Sequence, residues 1–131
     1  MATLIDTSVL IAVERGQIDL NALMTPNDEI AIAAITASEL LHGVHRASTA
    51  RLSAVREAFV EGLLARVPVL SFDLLTARLH ARIWAELASE GIVVGAHDLL
   101  IAATALVSGA TLATRDTRSF PRIPGLKFVR W

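Results

Sequence analysis

Short apolar segments alternate with longer segments of helical periodicity along the whole chain, and this alternation constrains the fold most strongly. The pattern predicts strands at residues 3–5, 30–35, 69–72, 111–113 and 127–129. It predicts helices from residue 7 or 8 to a stop at Gly16, and at 36–47, 49–65, 74–89 and 97–107. Because parallel strands need crossovers and helices supply them, we expect an α/β fold with a parallel sheet covered on both faces.

Length and composition favour a single domain over residues 1–131. Hydrophobic residues make up 53% of the chain and charged residues 19%, which is enough apolar side chain to offset the entropy of ordering the backbone. We find no repeat, low-complexity tract or linker. The absence of cysteine excludes disulfide scaffolds, thiolate zinc sites and cysteine nucleophiles.

The chain offers no membrane segment and no signal peptide. Its longest uncharged stretch, residues 99–114, is shorter than the roughly 20 apolar residues that a membrane span needs. The amino terminus has no basic segment and reaches Asp6 almost at once. We therefore expect a cytoplasmic protein that does not bind membranes.

Four acidic residues stand at the ends or starts of predicted elements, namely Asp6, Glu39, Asp98 and Asp116. Each has an ordinary structural interpretation, which taken singly is the more common one. Asp6 would cap the following helix, Glu39 would complete a capping box with Thr36, Asp98 would favour the first turn of its helix, and Asp116 would be a turn residue.

The joint arrangement of the four acids favours a different interpretation. In open parallel sheets ligands bind beyond the carboxyl ends of the strands, which is where Asp6 and Asp116 stand. Carboxylates that converge there would repel one another unless a cation neutralised them. Magnesium or manganese prefers such oxygen ligands. The chemistry that such a site serves best is phosphodiester hydrolysis by metal-activated water, with metal charge offsetting the charge that builds on the phosphate.

Four sequence motifs in order resemble those of PIN domains, and within them the VapC toxins of bacterial toxin–antitoxin pairs. The motifs are Ile5-Asp6-Thr7-Ser8-Val9-Leu10-Ile11, Thr36-Ala37-Ser38-Glu39-Leu40, Asp98-Leu99-Leu100-Ile101-Ala102-Ala103-Thr104-Ala105, and Thr114-Arg115-Asp116 ahead of Phe120. The resemblance covers essentially the whole chain. It implies a three-layer α/β/α domain with a mostly parallel sheet.

The resemblance also implies a magnesium- or manganese-dependent endoribonuclease that cleaves RNA such as tRNA or rRNA, forms a homodimer and is inhibited by a VapB-type antitoxin. Asp6, Glu39, Asp98 and Asp116 match the acidic positions of the family, while Ser8 and Thr114 match its small polar positions. Family members often carry a further acid or histidine before the phenylalanine, where this chain has Ser119. A fifth ligand and the number of metal ions therefore stay open.

Other residues and other functions were weighed on the same terms. Arg115 and Arg118 flank Asp116 and suit phosphate contacts, with a solvated surface role equally open. The pair His42 and His45 is assigned to surface or interface packing, and Trp84 and Trp131 to core or interface packing. All of these positions are read directly from the sequence.

The net charge of −1 argues weakly against a nucleic-acid partner, but the charge of the four acids would be neutralised if they bound metal. A phosphoaspartate enzyme is disfavoured because Ser8 stands where that motif needs a second aspartate, and because the sole lysine, Lys127, is too near the end for a receiver domain. A PIN-like nuclease of RNA processing or DNA cleavage, and a non-catalytic binding module, stay as alternatives.

Overall fold

The computed structural model describes residues 2–131, which form one five-stranded sheet flanked by helices. The strands are β1 (Ala2–Ile5), β2 (Glu29–Ala33), β3 (Val69–Leu70), β4 (Thr111–Thr114) and β5 (Phe128–Arg130). The helices are α1 (Thr7–Glu14), α2 (Leu20–Leu23), α3 (Ala34–His45), α4 (Ala50–Leu64), α5 (Leu74–Ser89) and α6 (Ala96–Ser108), followed by a 3-10 turn at Phe120–Arg122.

Every strand pair in the sheet is parallel, and the strand order is β3-β2-β1-β4-β5. The chain moves outward from β1 to β3 and then crosses back to place β4 on the other side of β1. The order therefore reverses between β1 and β4, and such a reversal opens a crevice beyond the carboxyl ends of these two strands.

Two apolar clusters cover opposite faces of the sheet, because successive side chains of a strand point to opposite faces. Leu4 packs with buried residues of α5 and α6, whereas Ile5 packs with buried residues of α1, α3 and α4. In β2, Ile32 and Ala33 divide between the same two clusters. The predicted three-layer α/β/α fold with a parallel sheet is confirmed.

Three boundaries differ from the prediction. The short helix α2 was not predicted, and β3 is two residues long where four were expected. The helix α3 begins at Ala34, directly after β2, and not at Thr36. The strand expected over residues 30–35 ends at Ala33, since Ala34 and Ile35 already belong to the helix.

Across residues 2–131, the helices are too short or too polar for any of them to traverse a lipid bilayer.

Candidate active site

The topology brings the four predicted acids to the same edge of the sheet. Asp6 directly follows β1, Asp116 follows β4, and Glu39 lies in the helix that leaves β2, so these three acids follow adjacent strands. Asp98 lies in the first turn of α6, the helix that leads back to the start of β4. Because α6 ends where β4 begins, its amino-terminal turn lies toward the opposite, carboxyl edge.

Asp6 is buried, and its carboxylate is held by two hydroxyl groups. Ser8 Oγ donates to Asp6 Oδ2 at 2.6 Å, and Thr114 Oγ1 donates to the same oxygen at 2.8 Å. Asp6 occupies the N-cap position of α1, yet its side chain accepts no capping hydrogen bond. The capping interpretation of Asp6 is therefore wrong, because tertiary contacts orient the carboxylate away from the free helix amides.

The two hydroxyl groups that hold Asp6 are themselves held by the backbone that follows β4. The Arg115 N–H donates to Ser8 Oγ at 3.1 Å, and the Asp116 N–H donates to Thr114 Oγ1 at 2.9 Å. Thr114 is fully buried, so its hydroxyl has no water to replace these partners. The predicted supporting residues Ser8 and Thr114 thus join the end of β1 to the end of β4.

Asp116 is fixed by a turn that also favours its negative charge. Its Oδ1 accepts the backbone N–H of Arg118 at 2.8 Å and that of Ser119 at 3.3 Å. These backbone hydrogen bonds, helped by the Ser119 hydroxyl and the Arg118 charge, lower the pKa of Asp116, while burial opposes them. The turn interpretation of Asp116 therefore holds alongside its position in the acidic group.

Asp98 experiences the charges of all three other acids. Burial is the largest cause that raises its pKa, followed by the negative charge of Asp6, with smaller contributions from Asp116 and Glu39. A hydrogen bond with the Ser119 hydroxyl works in the opposite direction. Charges act at this strength only over short distances. The four carboxylates therefore face a common space.

Glu39 is anchored by residues of two other helices. Thr7 Oγ1 donates to Glu39 Oε1 at 2.9 Å, and His97 Nδ1 lies 3.5 Å from Glu39 Oε2. The capping box expected between Thr36 and Glu39 is wrong, because α3 begins two residues before Thr36 and the Thr36 hydroxyl lies 3.2 Å from Thr7 Oγ1. Thr36 is fully buried beneath the site.

Three residues of this site were not assigned a role there from the sequence. Thr7 and His97 hold Glu39, and Ser119, noted only as a departure from the family pattern, lies between Asp98 and Asp116. Thr7 and His97 directly adjoin Asp6 and Asp98 in sequence, and this adjacency was the available signal. The contacts themselves join separate elements and leave no trace in local periodicity.

The two arginines that flank Asp116 differ in their surroundings. Arg118 is exposed, and its charge acts on Asp116, whereas the half-buried Arg115 lines a cavity next to α2. His42 and His45 are exposed in the last turn of α3. Trp84 is 62% exposed, and Trp131 packs at the border of the cluster around Ile5.

The chemistry of the donors suits a hard divalent cation, since the acidic group offers carboxylate and hydroxyl oxygens with no sulfur ligand. Within residues 2–131, however, no three Asp, Glu or His side chains are close enough to form a ready-made metal cage. Magnesium sites in proteins typically use one or two carboxylates and retain several water molecules. The residues present therefore fit an ion that water and substrate help to coordinate.

Comparison with known proteins agrees with this fold and this site. The PIN domain family model matches residues 3–126. The chain is 36% identical over 129 residues to "Ribonuclease VapC" of Rickettsia bellii, covering 98% of this chain and 96% of that protein. It is 36% identical over 100 residues to the "tRNA(fMet)-specific endonuclease VapC" of Salmonella typhimurium, covering 76% and 74% of the two chains.

Solved structures give the same result. A chain from the crystal structure of VapBC2 from Rickettsia felis bound to a promoter DNA fragment aligns with a TM-score of 0.90 and 27% identity, covering 100% of this chain and 99% of that one. A chain from DNA-bound VapBC of Salmonella typhimurium aligns with a TM-score of 0.86 and 30% identity, covering 100% and 98%.

The fold, the acidic edge and the family match define a PIN-domain nuclease, and the chain belongs to the PIN-domain family. Within that family it belongs with the VapC ribonucleases, the toxins of VapBC toxin–antitoxin systems.

Proposed function

We propose that this chain is a magnesium- or manganese-dependent endoribonuclease, in which Asp6, Glu39, Asp98 and Asp116 are the metal-binding and catalytic residues. The observation that carries the proposal is the raised pKa of Asp98, to which the charges of the other three acids contribute. Four carboxylates in a common space provide what a divalent cation needs and what few purely structural roles would require.

A divalent ion bound there supplies an acidified water and positive charge at the phosphate. The residues of the chain perform the positioning. Ser8 and Thr114 fix one oxygen of Asp6 and leave its other oxygen free, and the Ser119 hydroxyl lies between Asp98 and Asp116. Arg118, exposed beside Asp116, provides a cation for a phosphate of the RNA backbone.

The proposed substrate is a cellular RNA such as tRNA or rRNA, and we expect cleavage to occur in the cytoplasm, where such RNA is found. The naming of the Salmonella relative as a tRNA(fMet)-specific endonuclease supports a tRNA substrate. The experiment is incubation of the purified chain with total RNA in EDTA, then with Mg²⁺ or Mn²⁺ in excess, followed by mapping of the cut ends. Equal RNA integrity in all conditions would overturn the proposal, and cleavage of DNA alone would favour the DNA-nuclease alternative.

We further propose that a VapB-type antitoxin binds in the groove between α1, α3 and α4. This groove has a volume of about 750 Å³, is lined by apolar side chains that include Ile11, Leu40 and Val55, and reaches Glu39. An amphipathic segment would bury an apolar face there. A basic side chain of that segment would reach the carboxylates and exclude metal and RNA. The VapBC complexes among the structural neighbours support this partner.

The proposal includes a homodimer. The outer face of α5 and the segment after it expose several large apolar side chains, of which Leu75 is 63%, Trp84 62% and Val93 82% exposed. A soluble monomer rarely leaves such an apolar patch uncovered. Sedimentation of the wild type beside Trp84→Glu would test this, with a shift toward monomer expected for the variant.

A further inference from the structure

A second cavity, of about 380 Å³, lies on the other side of the site from α6. Its lining includes Gln17, Ile18, Asp19, Arg115, Arg130 and Trp131. The mechanism above uses none of these side chains. We propose that this cavity binds a nucleotide of the RNA strand adjoining the scissile phosphate, with its base against the Trp131 indole and its phosphate on Arg115 and Arg130.

The cavity is connected directly to the carboxylates by backbone and hydroxyl contacts. The Arg115 N–H donates to Ser8 Oγ at 3.1 Å, and Ser8 donates to Asp6 at 2.6 Å. The Trp131 N–H donates to the backbone oxygen of Thr114 at 3.0 Å, whose side chain holds Asp6. A strand with one phosphate at Asp6 and Asp116 therefore has its neighbouring nucleotide within reach of Arg115.

The composition of the cavity suits a nucleotide. An indole face stacks on any base, and guanidinium groups bind phosphate through two parallel hydrogen bonds. Within residues 2–131 neither Arg115 nor Arg130 forms an ion pair. The one acid of the cavity, Asp19, uses Oδ1 to accept the Asn21 N–H at the start of α2. The net charge of the lining is positive, and Gln17 adds an amide that can hydrogen-bond a base edge.

The site can be observed without any cleavage, because the chain has only two tryptophans. Trp84→Phe leaves Trp131 as the sole indole, and Asp6→Asn prevents turnover. A short single-stranded RNA of mixed sequence should quench the Trp131 fluorescence of this double variant. Adding Arg115→Gln should abolish most of the quenching, and the backbone N–H that holds Ser8 is retained in that variant.

Affinity and its salt dependence provide the second measurement. Arg115→Gln and Arg130→Gln should each weaken binding of the same RNA by roughly tenfold and reduce the slope of log K against log salt by about one. Arg115→Lys should retain the salt slope and recover only part of the affinity, because lysine lacks the planar fork. Arg82→Gln, on the exposed face of α5, is the matched control and should bind as the wild type does.

Two results would overturn the inference. One is RNA binding, followed by anisotropy, that leaves Trp131 fluorescence and the Arg115→Gln affinity unchanged. The other is loss of antitoxin binding, with RNA binding intact, in the arginine variants, which would make the cavity a protein-docking site. The inference rests on the proposed RNA substrate, but the tests separate them: RNA that quenches Trp131 in a chain that never cleaves would refute the nuclease proposal alone.

Discussion

Thr114 donates a hydrogen bond to Asp6 Oδ2 at 2.8 Å, although the two residues are separated by 108 positions in the chain. The bond joins the ends of β1 and β4, the two strands between which the strand order reverses. The same hydroxyl accepts the Asp116 N–H, so a single buried threonine sets the relation between two of the four acids.

Replacing Thr114 by valine should therefore lower both activity and stability. Valine keeps the shape but leaves the Asp116 N–H and one oxygen of Asp6 without their partner, which costs about 1–3 kcal/mol of unfolding free energy. Serine retains the hydroxyl and should behave almost as the wild type. Urea denaturation and initial cleavage rates measure the two effects, and a Thr114→Val variant as active as Thr114→Ser would contradict the role given to the hydroxyl.

Asp6→Asn should abolish RNA cleavage, with a loss of at least about a hundredfold, while the fold stays as stable as before or becomes slightly more stable. The amide oxygen can still accept from Ser8 and Thr114, and one charge is removed from the acidic group. Rates at saturating Mg²⁺ and thermal denaturation provide the measurement. Glu57→Gln, on the exposed surface of α4, is the charge-matched control. An Asp6→Asn variant that unfolds would indicate a structural role instead.

Asp98 and Asp116 should influence stability with opposite dependence on pH when measured in EDTA. The pKa of Asp98 is raised above its ordinary value of 3.8, so ionised Asp98 destabilises the fold as the pH rises through that raised pKa. Asp98→Asn should therefore stabilise the chain at neutral pH, and the gain should vanish in acid below 3.8.

The pKa of Asp116 is lowered from 3.8, so its stabilising contribution is present above that value and is lost as the pH falls through the lowered pKa. Asp116→Asn should accordingly destabilise the chain at neutral pH and have little effect in strong acid. Thermal denaturation of both variants across the acidic range is the measurement. The same sign for both variants at neutral pH would refute the assignment of burial to one acid and of backbone hydrogen bonds to the other.

Gly95→Ala should reduce cleavage without a comparable loss of stability. A Cβ at Gly95 would lie 3.3 Å from Asp98 Oδ2 and 3.8 Å from its Cγ, so the carboxylate must shift. The φ of Gly95 is −54°, which alanine adopts without strain. We expect a loss of roughly tenfold in kcat/KM.

Gly62→Ala is the control for that variant, since a Cβ there meets nothing within 4 Å. It should leave cleavage unchanged and stabilise α4 by about 0.5–1 kcal/mol. Full activity of Gly95→Ala would show that the exact position of the Asp98 carboxylate is unimportant.

Production of the chain alone should arrest bacterial growth, and co-production of a small antitoxin encoded beside it should relieve the arrest. RNA cleavage is the proposed cause, so a culture producing Asp6→Asn should continue to grow. Growth curves with soluble protein confirmed in both cultures provide the comparison. Equal growth would count against the toxin function and leave a nuclease with another role in the cell.

The sequence by itself determined the layers of the fold and the positions of the acids along the chain. Apolar segments at residues 3–5, 30–35 and 111–113 were sufficient to predict buried parallel strands, because burial on both faces requires continuous apolar side chains. The short helix α2 escaped prediction because four residues, none of them buried, carry too little periodicity to be recognised.

Only the tertiary structure decided what the polar side chains contact. Local pattern assigned Asp6 and Thr36 to helix caps, since a cap is the nearest source of unpaired amides. The fold instead offers Asp6 the hydroxyl of Thr114 and places Thr36 against Thr7. Hydrogen bonds of this kind depend on which strands become neighbours, and that choice is made by packing across the whole sheet and not by any local segment of sequence.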